Sequence, residues 1–486
     1  MSQAQQIVQK SSIYAAGNIL RGLASFLMLP VYTRYLTPAD YGVIELISVV
    51  LDLTLLLLGA RVAVGIFKFY SDAETPAEKN QVIVTALMLM GGVHLAAVIV
   101  IAIFNRPISV LLNAAPDFGT ALAVYSLSAV FAALNEVFYS YLKILDRAIT
   151  FVSFNLFKLL LQLALNIYLI VFLNMSYWGV IWSAVISSAV MTALFALWFL
   201  PSIGLNVSKL YARKLIQFSA PIILASLAMY YITFSSRYYL QYLDDVTAVG
   251  IYAVANKFGV MIFTLVAAPF TEYWSARQFE MAKTPDADKL FGQVFFYLSL
   301  VLLIACLGLF STISDIVHVA ATESYWSAIP VVPWLAGAYL LQAWGDYFRF
   351  ACFYRAQNRF VTYASLITVV VVTAAYLYWI PNEGVLGAGK AIFVASLARF
   401  LSTYYFAQRL FYIDVPWRRL TGCVAYFAVA LYLISFVGTS GVTGILVKGT
   451  LAAIAGLAIL GTPLIDREHR ELIAGRINSV VRRARV

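Results

Sequence analysis

Apolar runs of about 20 residues alternate with short polar stretches along most of the chain. A helix of that length crosses the roughly 30 Å hydrocarbon core of a bilayer. The runs are continuous and lack the apolar–polar alternation of barrel strands, so the pattern predicts helices. It places fourteen, at about 12–34, 41–68, 81–103, 118–142, 149–173, 177–200, 212–236, 246–271, 290–313, 325–348, 361–380, 384–408, 420–438 and 442–463. The fold class that follows is an all-α polytopic membrane protein.

Composition agrees. The chain is 62% hydrophobic and 12% charged, with a mean hydropathy of +0.86, against roughly 25% charged residues in a soluble domain. The opening "MSQAQQIVQK" is polar and the run after it is longer than a signal-peptide core, so no cleavable signal is expected. Cys306, Cys352 and Cys423 lie in or beside apolar runs, and His94, His318 and His469 are far apart. Neither set has metal-ligand spacing, so no metal or cofactor is expected. There is no GxxxxGK[ST] motif, no long loop, and no paired carboxylates or Ser/His/Asp constellation on a loop. No catalytic residue is assigned, and the chain is not expected to be an enzyme.

Charge sets the expected orientation. Of 33 lysines and arginines, 23 fall on the side of the N-terminus, three (Arg34, Arg106, Arg237) on the other, and seven within spans. Positive charge stays cytoplasmic, which puts both termini inside. The net charge of +10 is thus mostly a topology signal and gives no reason to expect nucleic acid. The basic tail 466–486 either lies on the anionic inner leaflet or is simply solvated; both readings stand.

An internal repeat organises the spans. Gly42 matches Gly250 (250 − 42 = 208), Arg147-Ala148 matches Arg355-Ala356, and Gly179 matches Gly387, all in one register. Six spans per unit make the repeat parallel, about an axis along the membrane normal. The expected domains are an N-terminal lobe 1–208, a C-terminal lobe 209–412, spans thirteen and fourteen at 413–465, and the tail 466–486. Two pseudo-symmetric six-helix lobes that rock about a central cavity make a transporter, although a duplicated bundle can also be an inert scaffold.

Charges inside spans mark candidate sites, because each is costly there unless it is paired or lines a cavity. Arg21, Lys158 and Lys257 are central in their spans, and Arg61 lies deeper towards the cytoplasm. Asn155, Lys158, Gln162 and Asn166 share one helical face; so do Tyr14, Asn18, Arg21 and Ser25, then Glu45, Ser48 and Asp52, then Ser226, Tyr230, Thr233 and Arg237. Such stripes line a wet cavity or pair with each other between helices. Arg237, Arg399 and Lys448 are expected to snorkel to the interface. At an offset of 208 the buried charges do not recur (Lys158 meets Leu366, Asp52 meets Val260), which suits a ligand with two different ends. In-span cations outnumber acids, which favours an anionic cargo carrying phosphate or diphosphate. The candidate binding residues are Asn18, Arg21, Arg61, Asn155, Lys158, Gln162 and Lys257. Asp52 or Glu136 either carries a coupling proton or pairs with Arg61 or a neighbouring helix.

The stretch "LPVYTRYLTPADYGVIEL" resembles the first-loop signature of Wzx-type polysaccharide transporters, the oligosaccharide flippases of the multidrug/oligosaccharidyl-lipid/polysaccharide superfamily. "RYYLQYLDDVTAVGIYAVANKFG" is similar to the second-lobe counterpart, and "IPNEGVLGAGKAIFVASLARF" to a later segment of the same family. The resemblance implies the two-lobed fold of multidrug (MATE-like) exporters. It also implies movement of undecaprenyl-diphosphate-linked oligosaccharide across the bacterial inner membrane, for lipopolysaccharide or exopolysaccharide synthesis. Implied partners are that lipid-linked substrate, the bilayer, and a polysaccharide polymerase with its chain-length machinery. The motifs mark helix starts, so no binding residue is carried over from them. A cation-coupled drug exporter, favouring acidic cavity residues, and a non-transport protein of glycan assembly are the alternatives.

Overall fold

The computed structural model describes residues 28–58, 62–115 and 117–464. Among these residues every regular element is helical, and nine helices are long and apolar enough to cross a membrane. The chain is a multi-pass, all-α membrane protein. Its helices fall where spans two to fourteen were predicted, with eleven and twelve joined in one element. Most of span one, with Asn18 and Arg21, lies outside the described residues, as does Arg61.

The chain divides into two compact units, Met1–Ala253 and Val254–Val486. The first holds α1 (Leu29–Tyr35), α2 (Pro38–Leu58), α3 (Val62–Asp72), α4 (Pro76–Ile103), α5 (Asn105–Leu111), α6 (Phe118–Ile144), α7 (Ala148–Ile167), α8 (Ser176–Ile203), α9 (Lys209–Leu243) and the start of α10 (Val246–Ile262). Helix α6 packs on α4 and α8, and α9 packs on α2, α3 and α4. Phe138, Phe195 and Phe199 stack at the centre of this core.

The second unit holds the rest of α10, α11 (Ala268–Met281), α12 (Ala287–Ala320), α13 (Val332–Phe348), α14 (Phe350–Tyr354), α15 (Arg359–Leu410), α16 (Trp417–Ser435) and α17 (Gly441–Ala458). Its core gathers Trp274, Phe291, Phe295, Trp344, Tyr347 and Phe348. Helix α15 reverses at Gly384, whose φ of 54° and ψ of −125° suit a residue without a Cβ. In a straight helix, Trp379 and Gly387 would stand about 12 Å apart. Instead, a Cβ on Gly387 would meet the Trp379 carbonyl.

The repeat is visible in backbone detail. Thr37 caps α2: the Asp40 N–H donates to Thr37 Oγ1 (3.1 Å), and the Thr37 N–H donates to Asp40 Oδ2 (3.0 Å). The Ala248 N–H donates likewise to Asp245 Oδ1 (2.7 Å), and Asp245 and Ala248 stand 208 positions after Thr37 and Asp40 (245 − 37). The two helix starts also cross reciprocally. A Cβ on Gly42 would fall on the Val246 carbonyl oxygen, and one on Gly250 would fall on that of Pro38.

Further along, the register differs from the sequence reading. The turn after α6 has Asp146 at φ 58°, and the turn after α14 has Ala356 at φ 52°. The Arg147 N–H donates to Leu142 O, and the Gln357 N–H donates to Cys352 O. These equivalences run at 210 (356 − 146), so the Arg147-Ala148 and Arg355-Ala356 match is out of step with the fold by two residues. Gly179 packs on Leu169 and Ile170, and Gly387 on Trp379 and Ile380. The register is therefore 210 through spans five and eleven and returns to 208 at the glycines. Arg349 keeps helical dihedrals (φ −56°, ψ −24°), so 210 also carries back through spans four and ten. Glu136 then corresponds to Asp346, and the expectation that buried charges do not recur fails at this position.

Candidate functional site

A cavity of about 450 Å³ lies between α6 and α7, within the first unit. Helix α6 contributes Asn135, Glu136, Tyr139 and Lys143; α7 contributes Phe151, Asn155, Lys158 and Gln162. The +3 and +4 spacings of Glu136–Tyr139–Lys143 and Asn155–Lys158–Gln162 turn each set to one side of its helix. Four residues singled out from the sequence are thus brought together: Glu136, Asn155, Lys158 and Gln162.

Neighbouring contacts fix the walls. The Asn135 amide donates to Ser188 O (3.1 Å) and accepts from Thr192 Oγ1 (3.1 Å), anchoring α6 on α8. Asn155 Nδ2 donates to Phe151 O (2.9 Å). The Tyr139 and Phe151 rings meet edge-to-face at 5.3 Å, and Lys143 Nζ sits 5.0 Å over the Phe151 ring. Lys143 is one of the 23 cations that the sequence places on the side of the N-terminus, and continuing the stripe from Glu136 by +3 and +4 reaches it. Asn166 leaves the predicted stripe. It donates to Tyr32 Oη (2.9 Å) and accepts from Ser183 Oγ (2.5 Å), so it ties α7 to α1 and α8.

The stripes on α2 and α9 meet each other. Arg237 on α9 is 5% exposed, and its Nε lies 3.8 Å from Glu45 Oε2 on α2. Its guanidinium covers the Tyr252 ring at 5.0 Å, and Tyr230 Oη donates to Val49 O (2.6 Å). Asp52 lies on this α2 face and is not among the residues that line the α6–α7 cavity. Lys257 is half-buried in the second unit and is not among the cavity residues.

The expected snorkelling is overturned at all three positions, because each cation faces an acid on a neighbouring helix. Arg237 pairs with Glu45; Arg399 Nη2 stands 3.6 Å from Asp346 Oδ1; Lys448 Nζ stands 2.7 Å from Asp315 Oδ2. Asp346 also takes Arg349 at 3.4 Å, and Asp315 accepts the Gly441 N–H (3.1 Å), which holds α17 on α12.

Residues 7–274, more than half of the chain, match the profile of a family described as polysaccharide biosynthesis protein. The chain belongs to this family. The resemblance to Wzx-type polysaccharide transporters drawn from the loop motifs agrees with this family match. A search of curated protein sequences gives no match. Solved structures share the fold. The lipid II flippase MurJ, in an inward closed conformation, matches with a TM-score of 0.75 at 13% identity, over 96% of this chain and 100% of its own. An inward-facing multidrug resistance MATE-family transporter matches with 0.64 at 14% identity, over 85% and 99%. A superfamily transporter from Pyrococcus furiosus, described as having a binding pocket of reverse polarity, matches with 0.52 at 14%, over 86% and 96%.

Proposed function

We propose that this family member flips undecaprenyl-diphosphate-linked oligosaccharide across the bacterial inner membrane by alternating access, with both termini cytoplasmic. The observation that carries this reading is the α6–α7 cavity. Lys143 and Lys158 line it beside a single carboxylate, Glu136, and the carboxamides of Asn155 and Gln162 add donors for phosphate or sugar oxygens. The polyprenyl chain stays in lipid. Rocking of lobes 1–208 and 209–412 would expose the headgroup to either leaflet, and Asn18, Arg21, Arg61 and Lys257 complete the proposed binding set. Glu136 or Asp52 carries the coupling ion. A polymerase and chain-length machinery would receive the product. An excess of cations over acids in the cavity speaks against a cationic drug as cargo. The likeness to MurJ, a lipid II flippase, and to a relative with a reversed-polarity pocket supports a lipid-linked anionic cargo.

The test is leaflet translocation in proteoliposomes, with labelled lipid-linked oligosaccharide set against a cationic dye. A charge-assisted hydrogen bond contributes about 1.5–3 kcal/mol. Lys158→Gln should therefore slow oligosaccharide translocation roughly 10- to 100-fold, with normal membrane insertion. Unchanged flipping by this variant would remove Lys158 from the site, and transport of the dye alone would favour the exporter.

A further inference from the structure

Three arginines meet at one corner of the second unit. Arg355 lies in the turn after α14, Arg359 opens α15, and Arg409 stands one residue before the end of α15. The reversal of α15 at Gly384 brings its two ends to the same side. Arg355 Nε donates to Leu410 O (3.1 Å), next to Arg409. The Phe360 and Phe406 rings stack at 4.7 Å and hold the start of α15 against its end. All three arginines start within a helical turn of these two contacts, and all three are exposed. On the charge-derived orientation this corner faces the cytoplasm.

Two features describe its ligand. The first is charge that the protein does not neutralise. Among the described residues, none of the three arginines forms an ion pair, and neither does Asp414, the next acid after Arg409. Other cations of this unit do pair: Arg349 and Arg399 share Asp346, and Lys289 Nζ lies 3.7 Å from Asp286 Oδ1. The second feature is a ring under each guanidinium. Arg355 covers Tyr354 at 5.7 Å, Arg359 covers Phe360 at 5.1 Å, and Arg409 covers Tyr405 at 4.4 Å. A ring occupies the face of a guanidinium and leaves its N–H edges free, and those edges match the oxygens of a phosphate. Tyr363 and Tyr405 are 48% and 50% exposed, at helix ends where tyrosines sit at the level of lipid headgroups. A soluble anion would meet the arginines and leave these rings uncovered. An anionic phospholipid meets both, with its phosphate on the arginines and its glycerol region on the rings. A zwitterionic lipid brings a cation of its own to an already cationic corner.

We infer that this corner is a binding site for an anionic phospholipid of the adjoining leaflet, whose phosphate accepts N–H donors from Arg355, Arg359 and Arg409. The site does not depend on the flippase reading. It would tie the α14–α15 turn and the end of α15 to the membrane surface.

Native mass spectrometry of the full-length protein in detergent, titrated with phosphatidylglycerol or phosphatidylcholine, tests it. Phosphatidylglycerol should bind at least about tenfold more tightly, because each cation near an anionic surface contributes about a fivefold preference. Arg409→Gln should weaken phosphatidylglycerol about fivefold on the same basis. The triple variant Arg355→Gln, Arg359→Gln, Arg409→Gln should bind the two lipids alike, with a thermal melt in phosphatidylcholine like that of the native chain. A control triple on α9 of the first unit, Lys209→Gln, Arg213→Gln, Lys214→Gln, removes the same charge and should keep the preference. The inference is overturned if the native chain binds both lipids alike. It is also overturned if both triples lose the preference equally, since the charge then acts diffusely and there is no site. Displacement of phosphatidylglycerol by inorganic phosphate would overturn it too, because the corner would then take a free anion.

Discussion

Glu136 lines an open polar cavity, whereas Asp346, its counterpart 210 positions later, is gripped by Arg349 and Arg399. The surroundings differ in the same sense. Tyr139 corresponds to Arg349, Lys143 to Phe353, and Lys158 to Thr368, whose hydroxyl is spent on Ala364 O (2.7 Å). The pocket beside Asp346 is about 110 Å³ against 450 Å³ beside Glu136. One acid position thus serves two purposes. In the second unit its charge is neutralised by protein and the helices are pinned. In the first it is left among lysines and amides, with room for something else.

The sharpest test of this contrast is stability. Removing one partner from a buried ion pair costs roughly 3–5 kcal/mol, because the other charge is left uncompensated. Arg399 is 11% exposed, so Asp346→Asn should incur a loss of that order. Glu136 is exposed to its cavity, and Glu136→Gln should stay within about 0.5 kcal/mol. Thermal melts of the two purified variants decide the matter. Equal losses would mean that Glu136 is a packing acid too, and the cavity would no longer be distinguished by it.

Much of this was legible in the sequence, and for identifiable reasons. Span positions follow from hydropathy alone, because lipid admits few alternatives. The Asn155–Lys158–Gln162 face follows from helical spacing, and α6 supplies Glu136 opposite it. The pairing of charges did not follow, because the acid opposite each cation sits on a helix distant in sequence: Asp315 faces Lys448 from 133 residues away. The register failed for a related reason. Two residues enter the second copy before Ala356 and leave again before Gly387, and apolar stretches hide such shifts. The 208 offset therefore set Lys158 against Leu366, when backbone hydrogen bonds set it against Thr368.

Where the two copies do agree, at their opening turns, a smaller but definite effect is expected. Gly42 has no room for a methyl group against the Val246 carbonyl, while Gly92 on α4 has open space around its Cα. Overpacking costs roughly 1–3 kcal/mol, so Gly42→Ala and Gly250→Ala should each lower the melting temperature. Gly92→Ala should leave it unchanged or raise it, since Ala favours a helix by about 1 kcal/mol over Gly. If all three behave alike, the reciprocal crossing contributes nothing to stability.

The finest test converts part of one unit into the other. Lys143 stands over the Phe151 ring at 5.0 Å, near the α6–α7 turn, and its counterpart is Phe353. An exposed cation–π contact is worth about 0.5–1 kcal/mol, so the fold should tolerate Lys143→Phe. Translocation should slow only two- to fivefold, because Lys158 keeps a cation deeper in the cavity. Lys143→Arg should restore the rate, since charge and ring contact both survive. A loss as large as that of Lys158→Gln would instead make Lys143 a direct ligand of the diphosphate. The cavity would then hold its cargo between α6 and α7, with cations from both walls, and would differ from the second unit in both helices.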